Sequence, residues 1–370
     1  MTIRYDDLIV DKLLSTEYQK QISFDLKRLS GLNDIEILLG EFERIFASYI
    51  GTKHSIALNS GSDALQLSLL ALGIKKGDSV IIPNVTYPSV ALSILYAGAE
   101  PILVDIAKED LEINVASLRK QIKKNTKAII AVHMFARNCN LPTILEFAKE
   151  NDLFVIEDCC QAESSTLEGR RLGSFGDLSC FSFSYYKPLS SCGGGGGMIC
   201  FNDEKYKRII DYTRVWKDDD SIAQAGKRFA RMYLLDLLSV KVKFRYLKDI
   251  IKSRLLIKDI YERQLGKFKA VGVFKDTKGS VSVPQNFVIL SRMRDNLEEH
   301  LTGKNIIWQR PYSPLHLMKA FSRFAEGPYP GSMAYWEQAL HLPLYSFMKK
   351  EDGIFVSDVI KQFYLSQQDK

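Results

Sequence analysis

The sequence of 370 residues has no run of about 18 apolar residues, the length that a membrane-spanning helix needs. Its first residues, MTIRYDDLIVDKLL, carry acids inside the apolar stretch and lack the layout of a signal peptide. We therefore expect a cytoplasmic protein with no membrane partner.

Cysteine offers neither a disulfide framework nor a metal site. All six cysteines fall between Cys139 and Cys200, whereas a cross-linked secreted fold would spread them along the chain. No CxxC or HxxH spacing occurs in the sequence, and the five histidines are scattered. These patterns indicate reduced thiols and no bound metal.

A strong charge of one sign is also missing. The chain has 50 Lys and Arg against 44 Asp and Glu, a net charge of +6. This excess does not call for nucleic acid, which we do not expect as a partner, and it is compatible with a small anionic ligand. A hydrophobic content of 46% and a charged content of 25% exclude disordered and collagen-like classes.

Short apolar strands alternate with helical patterns over much of the first two hundred residues. Examples are Ser79–Pro83, Lys127–His133 and Leu153–Asp158. Such alternation predicts an α/β fold with a mostly parallel central sheet flanked by helices. Ligands of these sheets bind beyond the carboxyl ends of the strands, so residues that directly follow strands are the candidates for chemistry. They are Tyr87, His133, Asp158 and Lys187.

The pattern changes after about residue 235. Tyr246–Leu265 reads as an amphipathic helix, and Val281–Leu290 and Asn305–Gln309 read as strands. We therefore predict two domains. Residues 1–235 would form an N-terminal helical arm and a large α/β domain, and residues 236–370 a smaller α+β domain.

Small residues, Asn59–Ala64 (NSGSDA), open the first helix of the alternating region. Free backbone N–H groups and the positive end of the helix dipole make such a terminus a phosphate site. An ordinary helix cap fits the same residues. The segment is neither GxGxxG nor a Walker A loop, so dinucleotides and nucleoside triphosphates gain no support.

Two ionisable residues stand at the ends of apolar strands. Asp158 needs a donor there, which a protonated cofactor ring nitrogen or the following turn could supply. A desolvated Lys187 could form a Schiff base, although a solvated surface lysine is the ordinary alternative. The glycines 193–197 form either a flexible turn or a close approach to a ligand.

In this order the motifs resemble the DegT/DnrJ/EryC1/StrS family of sugar aminotransferases, which are fold-type I pyridoxal phosphate enzymes. The resemblance is dense over about residues 40–205, and thinner at RPYSPLH and LHLPLYSF in the C-terminal part. The segments that carry it most clearly are ALNSGSDALQLSLLALGIKKGDSVIIPNVTYPS, VHMFARNCNL, VIEDCCQA and GSFGDLSCFSFSYYK.

The resemblance implies a role for the residues around the cofactor ring. Lys187 would hold pyridoxal 5'-phosphate as an internal aldimine and then move the proton in catalysis. Asp158 would pair with the pyridine nitrogen, and Gln161 would bond the ring oxygen. Tyr87 would stack on the ring face.

The resemblance also implies residues for the phosphate and the sugar. Gly61 and Ser62 would donate to the cofactor phosphate, and Ser182 would add its hydroxyl. His316 would line the sugar side of the cleft.

By the same resemblance, the chain would move an amino group from an amino acid, by family likeness L-glutamate, to the keto group of a nucleotide-linked deoxy sugar. It would form a homodimer with sites at the interface. A dehydratase-like reaction and a non-catalytic regulatory role are the alternatives on this fold. Dehydratase relatives commonly replace the lysine by histidine, so Lys187, with Asp158 and Gln161, favours the aminotransferase.

The sequence departs from the family pattern at three places. The Asn of the family's intersubunit phosphate segment is missing from residues 226–232, where Arg228 or Arg231 are candidate replacements. Pro188 stands where Asn usually follows the lysine, and Ala136 where Gly is common. The departures concern the intersubunit contact and the substrate specificity.

Overall fold

The central element of the fold is a seven-stranded sheet. A computed structural model describes residues 15–29, 31–108, 111–207 and 230–368. The strand order is β1-β9-β8-β5-β4-β2-β3, in which β9 runs antiparallel to both neighbours and the other six strands are parallel to one another. The strands are β1 (His54–Leu58), β2 (Ser79–Pro83), β3 (Glu100–Val104), β4 (Thr126–Val132), β5 (Phe154–Asp158), β8 (Leu178–Ser182) and β9 (Gly197–Phe201).

Helices cover the sheet on both faces. Ile81 and Ile82 are neighbours on β2, point to opposite faces and are both fully buried. Ile82 packs with Leu65 and Ile94 on one face, while Ile81 belongs to the core of the other. Apolar residues at successive positions are what a sheet buried on both sides requires. The helices of this part are α1 (Ser15–Arg28), α2 (Leu32–Ile50), α3 (Gly61–Ala71), α4 (Pro88–Tyr96), α5 (Val115–Gln121) and α6 (Leu141–Glu150).

The C-terminal part has its own three-stranded antiparallel sheet and its own core. Ile257, Leu297 and Val356 from three helices pack in one cluster with Ile289 and Leu340 from the sheet. The elements are α7 (Leu234–Arg245), α8 (Leu247–Leu265), β10 (Gly272–Val273), β12 (Phe287–Leu290), α9 (Arg294–Gly303), α10 (Pro330–Gln338), β13 (Ala339–Leu342) and α11 (Lys350–Gln368).

A third, small sheet joins the two parts. Its strands are β6 (Thr166–Leu167), β7 (Arg170–Arg171) and β11 (Ser280–Val281). The predicted strand Val281–Leu290 is therefore wrong as one element, since its two ends belong to different sheets. Pro284 lies between them and has no N–H to continue a ladder.

The rest of the predicted element order agrees closely with the structure. The mostly parallel sheet is confirmed, and the predicted bounds of β2 are those observed. The predicted strand Asn305–Gln309 is wrong: only an isolated bridge joins Gln309 to His341. No helix among the described residues is long and apolar enough to cross a membrane.

The division into two domains at residue 235 stays a prediction. Leu237 and Val240 of α7 pack in the core of the large sheet, whereas the C-terminal core begins at Ile257 of α8. We therefore propose that the large domain ends within α8, some residues beyond the predicted boundary.

Candidate active site

A cavity of about 450 Å³ opens at the carboxyl edge of the large sheet. Parallel strands end at a common edge, so segments that are distant in sequence meet there. Seven of the eight predicted site residues line this cavity: Gly61, Ser62, Tyr87, Asp158, Gln161, Ser182 and Lys187. The opposite wall comes from the C-terminal part: Gln285, Asn286, Gln309 and Tyr312.

Lys187 is buried beside the cavity, 8% exposed, so the solvated-surface interpretation is wrong. Its Nζ donates to Gln285 Oε1 at 3.1 Å. Burial lowers the pKa of the Lys187 amine, and the nearby Cys160, Glu163 and Asp158 oppose that shift without cancelling it. A neutral, nucleophilic amine is therefore more accessible than at an exposed lysine.

Asp158 and Gln161 are held in place by backbone groups. Asp158 is the last residue of β5, and its Oδ1 accepts the N–H of Cys160 at 3.0 Å. Gln161 Oε1 accepts the N–H of Phe135 at 2.8 Å. With its oxygen fixed in this way, the Gln161 amide has its N–H donors for a ligand oxygen.

The start of α3 forms a compact anion site. The Ser60 hydroxyl caps the helix by accepting the N–H of Asp63 at 3.0 Å. At Gly61, a Cβ atom would lie 2.8 Å from Ser182 Cβ and 2.9 Å from Cys160 Sγ, so only glycine fits. Backbone N–H groups of the first helical turn and the Ser182 hydroxyl thus face one space, which suits a phosphate.

The glycine run supports this anion site through close backbone packing. A Cβ atom on Gly195 would lie 2.8 Å from Asp236 Oδ2, and one on Gly197 would overlap the Ser60 carbonyl. Gly196 donates its N–H to Asn59 O at 2.6 Å. The close approach seen here is to protein backbone and to a carboxylate of α7, and an approach of these glycines to a ligand stays a prediction.

Tyr87 and Tyr312 face each other across the cleft. Their ring centroids are 5.6 Å apart at an interplanar angle of 75°. Burial, helped by Tyr87, raises the pKa of Tyr312 to about 12, so its phenol stays protonated at neutral pH. Tyr312 was not among the predicted site residues, although it stands inside RPYSPLH, a segment already noted for its resemblance.

His316 is not among the residues that line the cavity. Its Nδ1 lies 2.7 Å from Asn84 Nδ2, and its ring stacks on Tyr329 with centroids 4.6 Å apart. A role of His316 on the sugar side stays a prediction that this arrangement does not support.

The departure at Ala136 has a backbone consequence. Phe135 and Ala136 have φ values of 54° and 67°, in the left-handed region that favours glycine. The common Gly of the family therefore fits this turn better than the Ala found here. The turn matters to the site because Phe135 holds Gln161.

A buried cluster beside the site joins His133, Glu157 and Cys159, whose ligand-type atoms lie within 4.8 Å of one another. Glu157 accepts three backbone N–H groups, from the segment 173–176, at 2.7 to 2.8 Å, and lies 3.2 Å from His133 Nε2. Burial raises the pKa of the Cys159 thiol to about 12. Both Glu157 carboxylate oxygens already accept hydrogen bonds, so the three residues form a buried network that fixes the end of β5.

Arg228 and Arg231 are the candidate replacements for the Asn of the family pattern that this chain lacks. Arg228 lies outside the described residues. Arg231 donates from its guanidinium to Glu36 within the same chain.

These groups fit pyridoxal phosphate. The cavity supplies a buried amine, a carboxylate, an amide donor and a helix N-terminus, and the buried Thr86 hydroxyl at its wall has no partner among the described residues. This set of groups at the carboxyl edge of a mostly parallel sheet fits the pyridoxal-phosphate-dependent transferases of fold type I that the sequence resembles.

Comparisons with known proteins give the family. A model of the DegT/DnrJ/EryC1/StrS aminotransferase family matches residues 38–362, and the chain belongs to this family. The predicted enzyme class, cofactor and fold are thereby confirmed.

Two curated relatives and one solved structure illustrate the similarity. The chain is 31% identical to GDP-perosamine synthase of Escherichia coli O157:H7, over 88% of this chain and 89% of that protein. It is 31% identical to dTDP-3-amino-3,6-dideoxy-alpha-D-galactopyranose transaminase of Aneurinibacillus thermoaerophilus, over 95% and 97%. DesV of S. venezuelae, solved in complex with a ketimine intermediate, superposes with a TM-score of 0.91 at 26% identity, over 98% of each chain.

Proposed function

We propose that the protein transfers an amino group from an amino acid, L-glutamate in the first instance, to a keto sugar carried on a nucleotide. One observation carries the proposal: the buried Lys187 amine shares a cavity with Asp158 and Gln161 at the carboxyl edge of the sheet. The curated relatives are named for amino-sugar products on GDP and dTDP, which supports this substrate class.

Pyridoxal phosphate supplies an electrophilic aldehyde and an electron-withdrawing ring. Lys187 would bind that aldehyde, and burial favours the neutral amine that attack requires. Once a substrate has displaced it, Nζ would accept a proton from the substrate carbon and pass it to the cofactor carbon that carried the aldehyde, with the reverse transfer in the second half-reaction.

The other predicted residues would orient the ring. Asp158 would hold a proton on the ring nitrogen, Gln161 would donate to the ring hydroxyl oxygen, and Tyr87 would cover one face. Gly61 and Ser62 would bind the phosphate through backbone N–H groups, with the hydroxyl of Ser182 beside them.

We also propose a homodimer whose interface runs past the cavity mouth. Tyr186 at the cavity is 60% exposed, as is Tyr233, and Leu235 is 61% exposed. The segments that carry them are close together, because Gly193, shortly after Lys187, packs on Asp236 at the start of α7. Exposed aromatic and aliphatic side chains of this size on adjacent segments suit a protein partner. A second copy of the chain is the partner that the resemblance implies, and sedimentation at several concentrations tests this.

The substrate class is tested in two half-reactions. Glutamate added to the cofactor-loaded protein should remove the visible absorption of the lysine-bound cofactor and release 2-oxoglutarate. The aminated protein should then transfer nitrogen to members of a panel of GDP-linked and dTDP-linked 3-keto and 4-keto sugars, detected by mass spectrometry. A protein that binds the cofactor but exchanges no amino group would favour the regulatory alternative.

A further inference from the structure

The Lys187 amine is held from across the cleft by a side chain of the C-terminal part. Nζ donates to Gln285 Oε1 at 3.1 Å, and both residues are buried, 8% and 6% exposed. The amide must present its oxygen, because the lysine amine is the donor. Little water competes at such a depth, so the hydrogen bond fixes both the position and the direction of the amine.

Gln285 is itself fixed by a buried arginine. Arg254 on α8 is 1% exposed and donates from Nη1 to the carbonyl oxygens of Pro284 and Gln285, at 2.9 and 3.1 Å. Its Nε donates to Ser346 Oγ at 3.0 Å. The main chain at residue 285 is therefore clamped to α8, and its side chain is directed at the lysine.

The other groups around the amine differ from Gln285 in origin and in charge. Asp158, Cys160 and Glu163 act on the pKa of Lys187, and all three come from the large domain. Gln285 adds a neutral acceptor from the opposite wall. The remaining titratable side chains at the cavity are His133, Tyr87, Tyr186 and Tyr312.

We propose that Gln285 is a positioning residue, which holds the Lys187 amine whenever that amine is not attached to the cofactor. The inference rests on the proposed function, in which a substrate displaces the lysine and Nζ must then wait close to the substrate carbon. A free lysine side chain would sample many rotamers, so a fixed acceptor keeps the base within reach of the proton. Because this acceptor lies in the C-terminal part, proton transfer by Lys187 also depends on the position of that part relative to the sheet.

Two variants at position 285 should shift the pKa of the Lys187 amine in opposite directions. Gln285→Met has a similar length and removes the oxygen, which disfavours the charged amine, whereas Gln285→Glu keeps an acceptor and adds a negative charge. Only the neutral amine attacks an aldehyde, so the pH midpoint of cofactor attachment to the apoprotein follows the lysine pKa. Borohydride trapping and mass spectrometry of the modified protein measure that attachment.

We expect the attachment midpoint of Gln285→Glu to rise by about one pH unit or more, and that of Gln285→Met to fall. The turnover number of Gln285→Met should drop about tenfold or more, as for loss of a hydrogen bond to a charged group, with the KM for the sugar little changed. Gln264→Met is the matched control, since Gln264 accepts a hydrogen bond from Lys361 in the C-terminal part and does not line the cavity.

Midpoints that coincide in wild type, Gln285→Met and Gln285→Glu would overturn the inference. If Gln285→Met does not fold, as judged by thermal unfolding, the upward shift in Gln285→Glu decides alone, and an unchanged midpoint there is contradictory. A wild-type apoprotein that attaches no cofactor would contradict the proposed function instead, so the two failures are distinguishable.

Discussion

The two walls of the cleft are built in different ways. On the large-domain wall, Ser60, Asp158 and Ser182 each stand at or just after the end of a strand, and the sheet brings them together. On the C-terminal wall, Gln285 precedes a short strand, and Gln309 is joined to its neighbours only by an isolated bridge. We infer that the first wall supplies most of the groups that act on the cofactor, whereas the second wall adds one acceptor for the Lys187 amine and otherwise faces the substrate.

The largest effect should follow from a change on the large-domain wall. Asp158→Asn replaces the carboxylate that we propose to pair with the ring nitrogen by a neutral amide, so the nitrogen would lose its proton more easily. We expect the pKa of that nitrogen to fall by about one to three units, with a matching fall in turnover number. Rapid-mixing absorption measurements of both half-reactions test this.

Asp177→Asn is the control for that variant. Asp177 Oδ2 accepts the N–H of Val155 at 2.8 Å, at the opposite end of β5. The Asp177→Asn variant should lose some thermal stability and keep the rates of both half-reactions. Near-normal rates in Asp158→Asn would contradict the proposed difference between the two walls, because the large-domain wall would then not supply the groups that act on the cofactor.

Gly61→Ala should weaken cofactor binding. The new methyl group would lie 2.8 Å from Ser182 Cβ, so the start of α3 or the end of β8 must move. Overpacking of this kind costs about 1–3 kcal/mol. Equilibrium dialysis with pyridoxal phosphate measures the loss, and Gly40→Ala on α2, where the nearest atom is 3.6 Å away, should bind normally. Unchanged cofactor affinity in Gly61→Ala would contradict the anion site.

Tyr312→Ala should affect the reaction with the sugar and leave the reaction with glutamate nearly unchanged. The variant removes the aromatic contact with Tyr87 on the C-terminal side, so the KM for the sugar should rise about two- to tenfold. The half-reaction with glutamate and the attachment of the cofactor should change little. Tyr312→Phe keeps the ring and should lie close to wild type. An equal loss in both half-reactions would show that this wall is not specific to the sugar.

The smallest effect concerns His341, which contacts Asn286 of the C-terminal wall and affects the stability of the fold. His341 is buried on β13, contacts Asn286, and burial lowers its pKa to about 3. The folded protein keeps the imidazole neutral, whereas the unfolded chain takes up a proton below about pH 6.5. The free energy of unfolding should therefore fall by about 0.7 kcal/mol from this residue between pH 7 and pH 6. Urea unfolding at both values should show a smaller fall in His341→Asn, and an equal fall would contradict the buried neutral imidazole.

Most of the large-domain wall could be predicted from the sequence. Asp158 ends β5 and Lys187 lies in the turn after β8. Both are recognisable because the apolar pattern locates each strand, and the strand direction in a parallel sheet fixes the edge at which such residues lie. The predicted fold class is confirmed on the same grounds.

The C-terminal wall could be predicted far less well. Gln285 follows a proline in an irregular segment, and its contact with Lys187 spans 98 positions of sequence, so no local pattern indicates it. The position of His316 also depends on packing: its ring contacts Asn84 and Tyr329 and does not line the cavity. Such contacts depend on how the large domain and the C-terminal part pack against each other, and the periodicity of apolar residues in the sequence carries no information on that packing.

The most direct test of the account is to find which lysine carries the cofactor. The protein is loaded with pyridoxal phosphate, reduced with borohydride, digested and mapped by mass spectrometry, alongside Lys187→Ala and the exposed-lysine control Lys127→Ala. We predict a single stable modification on Lys187 in wild type and Lys127→Ala, and none in Lys187→Ala. A modification on another lysine, or undiminished labelling of Lys187→Ala, would contradict the assignment on which the account depends.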